Sequence, residues 1–190
     1  RLLSLLRDAR SEMLALIELG LQHEQQHQEL ILTDLKHLLS CNPLQPVYRP
    51  QWPLSRVAPL AHAWLSFEGG TAQIGHRGDG FAFDNELPRH AALLRPYGLG
   101  NRLVTHGEWL AFVDDGGYAD ARWWLAAGWD WRRANAIEAP AYWQRDGTGW
   151  TSFTLHGRAP IDPHTPIVHV SYFEADAYAS AQANGQDLAN

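Results

Sequence analysis

The stretch SEMLALIELGLQHEQQHQELILTDLKHLL, Ser11 to Leu39, decides the fold of the first part of the chain. It contains no proline and one glycine, and its leucine and isoleucine residues recur at spacings of three, four and seven. This is the period of an α-helix, so the sequence predicts one helix of about 28 residues, roughly 40 Å long. A helix of that length is usually one member of a bundle, and Arg1–Arg7 is predicted to end the helix before it.

The middle of this predicted helix is polar, with the run Gln22-His-Glu-Gln-Gln-His-Gln-Glu29. His23 and His27 are four residues apart, so both imidazoles project from one face about one turn apart, a spacing at which two can bind one metal ion. Burying such a run without compensation would cost several kcal/mol, and a bundle helix that turns polar halfway usually lines a site. The spacing also arises by chance, so surface histidines remain an alternative at this point.

The same five residues, His23-Glu-Gln-Gln-His27, also match H-E-x-x-H, the zinc-peptidase signature in which the glutamate is the general base. The extended signature requires glycine at position 30 and histidine at position 33, where this chain has Leu30 and Thr33. The other common form requires a downstream helical glutamate, and the prolines from Pro43 onward leave no helix nearby to carry it. A zinc peptidase is therefore an alternative with little support from the surrounding sequence.

Beyond the helix the amino-acid composition changes twice along the chain. Five prolines between Pro43 and Pro59 predict an ordered linker or a segment that wraps across a neighbouring domain. From about His62 short apolar segments alternate with Gly, Asp, Asn and Pro, which predicts strands. The predicted strands are Ala63–Phe67, Ala72–Gly75, Ala91–Leu94, Thr151–Leu155 and Ile167–Val170.

Two helices are predicted to interrupt these strands. Thr105-His-Gly-Glu108 and Ser171-Tyr-Phe-Glu174 both match the capping box, in which a hydroxyl and a glutamate satisfy the first free backbone donors of a helix. The first helix is predicted to run to about Val113. The second is predicted to run to about Ala183, because Asn184-Gly185 is a stop signal.

The composition of this chain of 190 residues limits the classes of function that it can have. Its 15 Lys and Arg against 21 Asp and Glu give a formal charge of −6, which argues against nucleic acid as a partner. A single cysteine, Cys41, excludes an internal disulfide framework, and no apolar run reaches the roughly 18 residues of a membrane span. We expect a cytoplasmic protein of one or two domains with no membrane partner.

Three further features have structural interpretations. Seven of the nine tryptophans lie between Trp109 and Trp150, and we expect most of them to supply a core, although an aromatic cage for a quaternary ammonium group is the alternative. The acidic loop Phe83-Asp-Asn-Glu86 is expected to cap backbone groups and not to bind a cation. Cys41 is expected to be a structural thiol.

Two sets of motifs resemble a known family. The first set lies on the long helix and comprises Leu19-Gly-Leu-Gln-His-Glu-Gln-Gln-His-Gln-Glu-Leu30 and Thr33-Asp-Leu-Lys-His37. The second set comprises Phe83-Asp-Asn-Glu86, Pro88-Arg-His90, Glu108-Trp109, Gly116-Gly-Tyr118, Pro140-Ala-Tyr-Trp143 and Pro166-Ile-Val-His-Val-Ser-Tyr172. In this order they resemble the ergothioneine-synthesis sulfoxide synthases (the EgtB family), from about Leu19 to Tyr178. The second set is similar to the domain that this family shares with the formylglycine-generating enzyme.

The resemblance implies an α+β protein. Residues 1–42 would be the C-terminal helices of a DinB-like four-helix bundle, 43–61 a proline-rich linker, and 62–190 the incomplete first part of a C-type-lectin-like domain of the formylglycine-generating-enzyme type. The active site of the family lies between the bundle and that domain.

The resemblance also implies an oxidoreductase. The family uses Fe(II) held by three histidines, together with O₂, to join the sulfur of γ-glutamylcysteine or cysteine to Nα-trimethylhistidine as a sulfoxide. His23 and His27 match two of the iron ligands, and Gln26 matches a position that contacts the trimethylhistidine. The third ligand and the proton-donating tyrosine are expected outside this chain, so we expect the polypeptide to need its missing remainder for turnover. A zinc peptidase, a formylglycine-generating oxidase and a non-catalytic lectin-like binding module are the alternatives.

Overall fold

A computed structural model describes the backbone of residues 11–50, 60–147 and 149–187. The helix end predicted at Arg1–Arg7 and the linker prolines Pro53 and Pro59 lie outside these residues. The described residues group into two compact units, one made of 11–38 and 64–99 and the other of 39–50, 60–63 and 100–187. The domain boundaries predicted at residues 42 and 62 stay a prediction.

The long helix is present as α1, Ser11–Cys41, and ends two residues beyond the predicted boundary. Asn42 follows it directly. The backbone N–H of Asn42 donates to the carbonyl of Leu39 at 3.3 Å, while its side-chain oxygen accepts the N–H of Leu44 at 2.9 Å. The bond from the side chain of Asn42 forms an Asx turn. This turn ends the helix because it competes with the next helical hydrogen bond.

The first unit contains four short strands: β1 Trp64–Phe67, β2 Gly70–Ile74, β3 His90–Leu94 and β4 Tyr97–Gly100. β1 pairs with β4, and β2 is antiparallel to β3 with Ile74 opposite His90. The predictions for β1, β2 and β3 are confirmed, whereas β4 was not predicted. Two glycines in four residues depress the strand propensity of β4.

The described residues of the second unit form three α-helices: α2 His106–Asp114, α3 Ala126–Ala134 and α4 Tyr172–Asp187. Both predicted capping boxes are confirmed. The N–H of Thr105 donates to Glu108 at 2.8 Å, and the N–H of Ser171 donates to Glu174 at 2.7 Å. The predicted stop of α4 near Ala183 is wrong, since a glycine costs a helix only about 1 kcal/mol and does not forbid it.

The sheet of the second unit is antiparallel, in the order β5 Trp143–Asp146, β6 Gly149–Thr154 and β7 Gly157–Pro160. Only β6 was predicted. The strand predicted at Ile167–Val170 is wrong, because His169 has a φ of +62°, in the left-handed region that interrupts a strand. An isolated bridge between Pro166 and Thr105 stands in its place.

Aromatic side chains form the core of the second unit, as predicted for most of the tryptophans. The buried members of this core are Trp109, Phe112, Tyr118, Trp124 and Ala177, and half-buried tryptophans pack against them at positions 123, 129, 131 and 143. The described part of the chain is therefore α+β, with helices and small antiparallel sheets. The four-helix bundle stays a prediction.

Candidate metal centre

The structure brings the two candidate metal ligands together. In α1, His23 and His27 are one turn apart, and their Nε2 atoms lie 3.3 Å from each other. The rings meet edge to face, with centroids 4.4 Å apart and planes at 72°. Both side chains are exposed. The imidazoles are therefore neither splayed apart nor buried in an apolar core.

This geometry fits two ligands of one metal ion. Metal–nitrogen bonds of about 2.1 Å that meet at roughly 100° place two nitrogens about 3.2 Å apart, and the observed separation is 3.3 Å. Neutral imidazole is a common ligand of iron and zinc alike. Within the described residues, no group of three or more His, Cys, Asp or Glu side chains could hold an ion. The donor pair is suited to a metal, and a third protein ligand stays a prediction.

Gln26 and Glu24 are also exposed on α1, beside the histidine pair. Gln26 is three residues after His23, and side chains three apart lie on the same side of a helix. Glu24 projects about 100° from His23 around the axis, so it is poorly placed to share an ion with that ring. The substrate-binding role of Gln26 stays a prediction.

The acidic loop between β2 and β3 uses its carboxylates on its own backbone. Glu86 accepts the N–H of Phe83 at 2.9 Å, and Asp84 accepts the N–H of Asn85 at 2.9 Å. The predicted capping role is confirmed.

Cys41, at the end of α1, is exposed, with its sulfur 4.0 Å from the hydroxyl oxygen of Ser40.

Sequence reasoning missed a long-range contact within the second unit. Gln45 follows the helix, and its side-chain oxygen accepts a hydrogen bond from Nε of Arg158 at 2.8 Å. These two residues are 113 positions apart, and neither belongs to a motif. No local pattern in the sequence could have paired them.

Comparison with known proteins identifies the second part of the chain. The family described as "Sulfatase-modifying factor enzyme 1-like domain" matches residues 55–186, which is more than half of the chain. The chain belongs to the sulfatase-modifying factor enzyme 1-like domain family. The predicted kinship with the formylglycine-generating enzyme is thereby confirmed.

Individual relatives of the chain agree with the predicted resemblance. A hercynine oxygenase of Mycolicibacterium thermoresistibile is 45% identical over 101 residues, which cover 53% of this chain and 22% of the relative. A hercynine oxygenase of Mycolicibacterium smegmatis is 34% identical over 165 residues, covering 85% of this chain and 37% of the relative. A formylglycine-generating enzyme of Thermomonospora curvata is 30% identical over 133 residues, covering 64% of this chain and 44% of the relative.

The sulfatase-modifying-factor-like chain spans less than half the length of each of these relatives. The similarity to the Mycolicibacterium smegmatis protein is the broadest of the three along this chain.

None of the described helices is long and apolar enough to cross a membrane.

Proposed function

We propose that this chain belongs to a non-heme Fe(II), O₂-dependent sulfoxide synthase acting on hercynine, which is Nα-trimethylhistidine. The observation that carries the proposal is the pair of imidazoles of His23 and His27, 3.3 Å apart on one face of α1. They lie in a chain that is 34% identical to a hercynine oxygenase over 85% of its length. The protein would be a cytoplasmic oxidoreductase of ergothioneine biosynthesis.

The proposed reaction joins the sulfur of γ-glutamylcysteine or cysteine to a carbon of the hercynine imidazole. One S–H and one C–H bond break, one C–S bond forms, and the sulfur gains an oxygen atom. These changes remove four electrons from the substrates. One molecule of O₂ accepts them, giving one oxygen atom to the sulfoxide and the other to water.

The proposed chemistry requires a redox-active ion such as iron, which imidazole donors accept. Neutral histidine ligands leave open positions on Fe(II), and bound Fe(II) would supply the redox-active centre for O₂ and thiol that zinc lacks. His23 and His27 would hold the ion. Gln26 would donate or accept a hydrogen bond to hercynine from the same side of the helix.

The remaining components are proposed for parts of the protein outside this sequence. They are a third histidine ligand from a DinB-like bundle, a proton-donating tyrosine, and the rest of the formylglycine-generating-enzyme-like domain. We do not expect the 190 residues alone to turn over substrate.

The test uses the complete protein, loaded anaerobically with Fe(II) and then mixed with hercynine, O₂ and either γ-glutamylcysteine or cysteine. Mass spectrometry should detect the sulfoxide product with one of the two thiols. The variant His27→Ala should lose iron binding, O₂ consumption and product together. Sulfoxide formation by that variant would overturn the proposed role of the pair.

The same preparation separates the zinc-peptidase and binding-module alternatives, which the comparisons do not support. A zinc peptidase would cleave peptides and lose that activity in Glu24→Gln. A lectin-like binding module would remain metal-free after anaerobic Fe(II) loading. Either result would replace the oxygenase proposal.

A further inference from the structure

A cavity lies within the second unit, where the end of α2, the loop that follows it and α4 come together. Its volume is about 440 Å³, which is in the range of about 300 to 1,000 Å³ that small-molecule sites in proteins occupy. Its lining includes an aromatic wall, charged side chains and an amide, from Phe112, Asp115, Arg122, Trp123, Ala181 and Gln182. All of these residues belong to the second unit, so the cavity is a feature of that unit alone.

The aromatic wall of the cavity is held in place by the core. Phe112 is 4% exposed, and its ring packs edge to face with Trp109 and Tyr178, with centroids 5.8 and 5.6 Å away. On another side the ring lies against Gly117, where an added Cβ would overlap it. The wall is therefore preformed, as is usual for ligand sites.

The positive charge in the lining is already compensated. Nε of Arg122 donates to both carboxylate oxygens of Asp120, at 3.0 and 2.9 Å, and Nη2 donates to one of them at 2.6 Å. The same guanidinium lies over the ring of Trp123, 5.2 Å from its centroid. Because Asp120 neutralises Arg122, the cavity is not suited to an anion.

Asp115 carries the charge that is not compensated. It follows Asp114, the last residue of α2, so two carboxylates lie at the negative end of the helix dipole, where anions are disfavoured. Asp114 has a cationic neighbour, since Nη2 of Arg145 lies 3.5 Å from its carboxylate. Among the residues that the structure describes, none forms a hydrogen bond or an ion pair with the carboxylate of Asp115. A cation in the cavity would balance this charge.

We propose that the cavity binds a small organic cation, whose ammonium group pairs with Asp115 and whose apolar part contacts Phe112 and Trp123. A charge-assisted hydrogen bond beside an apolar wall is the combination that recognises an amine attached to a ring or a short hydrocarbon chain. Gln182 adds an amide that can donate or accept one further hydrogen bond. The inference does not rest on the proposed sulfoxide synthase activity, because it uses residues of the second unit only.

The test titrates the complete protein at low salt with 2-phenylethylamine and, separately, with 2-phenylethanol, and measures binding by ligand-observed NMR. The two probes are nearly equal in size, but only the amine is positively charged at neutral pH. We expect a dissociation constant of about 1 mM or lower for the amine, and one at least about fivefold higher for the alcohol. Added salt should narrow this difference. Equal affinities, or no binding of the amine up to about 10 mM, would overturn the proposal.

Asp115→Asn tests the charge without changing the size of the side chain. It should weaken binding of the amine by about three- to tenfold and leave the affinity for the alcohol unchanged, a range that allows for solvent screening of an exposed carboxylate. Asp114→Asn is the matched control, because it removes the same charge one position earlier, outside the cavity lining. Its effect should stay below about twofold. An unchanged affinity in Asp115→Asn, or an equal loss in Asp114→Asn, would refute the role of Asp115.

Ala181→Leu tests the location by filling the cavity from α4. It should weaken binding of both probes at least about tenfold, whereas Ala179→Leu, at an exposed position of the same helix, should bind as the wild type does. Thermal unfolding first establishes that both variants fold, and retained binding in folded Ala181→Leu would place the amine elsewhere and overturn the proposal. If Ala181→Leu does not fold, the comparison of Asp115→Asn with Asp114→Asn decides. None of these measurements depends on turnover, so a failure of the proposed function would leave their outcome unchanged.

Discussion

The phenolic oxygen of Tyr118 lies 2.6 Å from Oε1 of Glu174, although the two residues are 56 positions apart. Tyr118 donates this bond and accepts another from Nε1 of Trp109 at 3.3 Å. Glu174 is 3% exposed, and its other oxygen caps α4. Burial, with the charge of Glu174 as a further cause, raises the pKa of Tyr118, so the phenol remains a neutral donor. One buried carboxylate thus joins the start of α4 to the aromatic core.

Replacing Tyr118 with phenylalanine should destabilise the second unit by about 2 kcal/mol. The change leaves the buried Glu174 oxygen without its donor and the indole of Trp109 without its acceptor, while the ring remains in place. Urea unfolding at pH 7 measures the loss. Tyr172→Phe is the control, because Tyr172 is 72% exposed and its hydroxyl should matter by less than about 0.5 kcal/mol. Equal effects from the two substitutions would contradict this account.

The stability of the protein should fall in acid through Glu108. Its two oxygens accept hydrogen bonds from the guanidinium of Arg102, both at 2.8 Å. These bonds are the largest cause of lowering the pKa of Glu108 from 4.5 to about 2, with a smaller contribution from Thr105. Because the folded-state pKa is depressed, the stabilisation is complete above about pH 5. It declines as the pH falls through 4.5 towards 2.

Glu108→Gln should therefore cost about 1 to 2 kcal/mol at pH 7, a range that allows for solvent screening of a side chain that is 34% exposed. The difference between wild type and variant should shrink below pH 4.5 and vanish near pH 2. Urea unfolding between pH 7 and pH 2 measures the difference in unfolding free energy. Glu138→Gln, at an exposed position, provides the control. A difference that stays constant from pH 7 to pH 3 would show that the charge of Glu108 contributes nothing.

Local patterns in the sequence predicted much of the fold. α1 follows from a sustained helical period, and α2 and α4 follow from capping boxes whose hydrogen bonds lie within four residues. β5 and β7 had no such signal, because they are short and polar and exist by pairing with β6. His169 lies in an apolar run that is typical of a strand, and only its left-handed backbone interrupts it. Such conformations depend on tertiary contacts, which the periodicity of a sequence does not encode.

Contacts between side chains follow the same division between local and long-range signals. The pairing of His23 and His27 could be predicted because it depends on helical geometry alone. The contact between Gln45 and Arg158 could not, since it depends on how the chain folds back over more than a hundred residues. The assignment of iron in preference to zinc came from the motif resemblance, because imidazole ligands accept both metals.

Two glycines in helices should respond to alanine with opposite signs. Gly20 in α1 has no atom within 4 Å of the position of an added Cβ, so Gly20→Ala should stabilise the chain by about 0.5 to 1 kcal/mol through helix propensity. At Gly128 in α3 the added Cβ would lie 2.9 Å from Cβ of Phe173. Gly128→Ala should destabilise by about 1 to 3 kcal/mol despite the same gain in propensity. Thermal unfolding distinguishes the two, and stabilisation by both would refute the close packing of Gly128.

Gln26→Ala should separate substrate binding from metal binding. If Gln26 contacts hercynine, its removal should raise the KM for hercynine by about tenfold, equivalent to one lost hydrogen bond of about 1.4 kcal/mol, with the Fe(II) dissociation constant unchanged. Gln25→Ala is the matched control, because Gln25 is exposed on the same helix and is turned about 100° away from Gln26. Steady-state kinetics at saturating thiol, beside anaerobic Fe(II) titration, measure both quantities. If Gln26→Ala weakens iron binding as much as it raises KM, the residue supports the metal site and does not bind substrate.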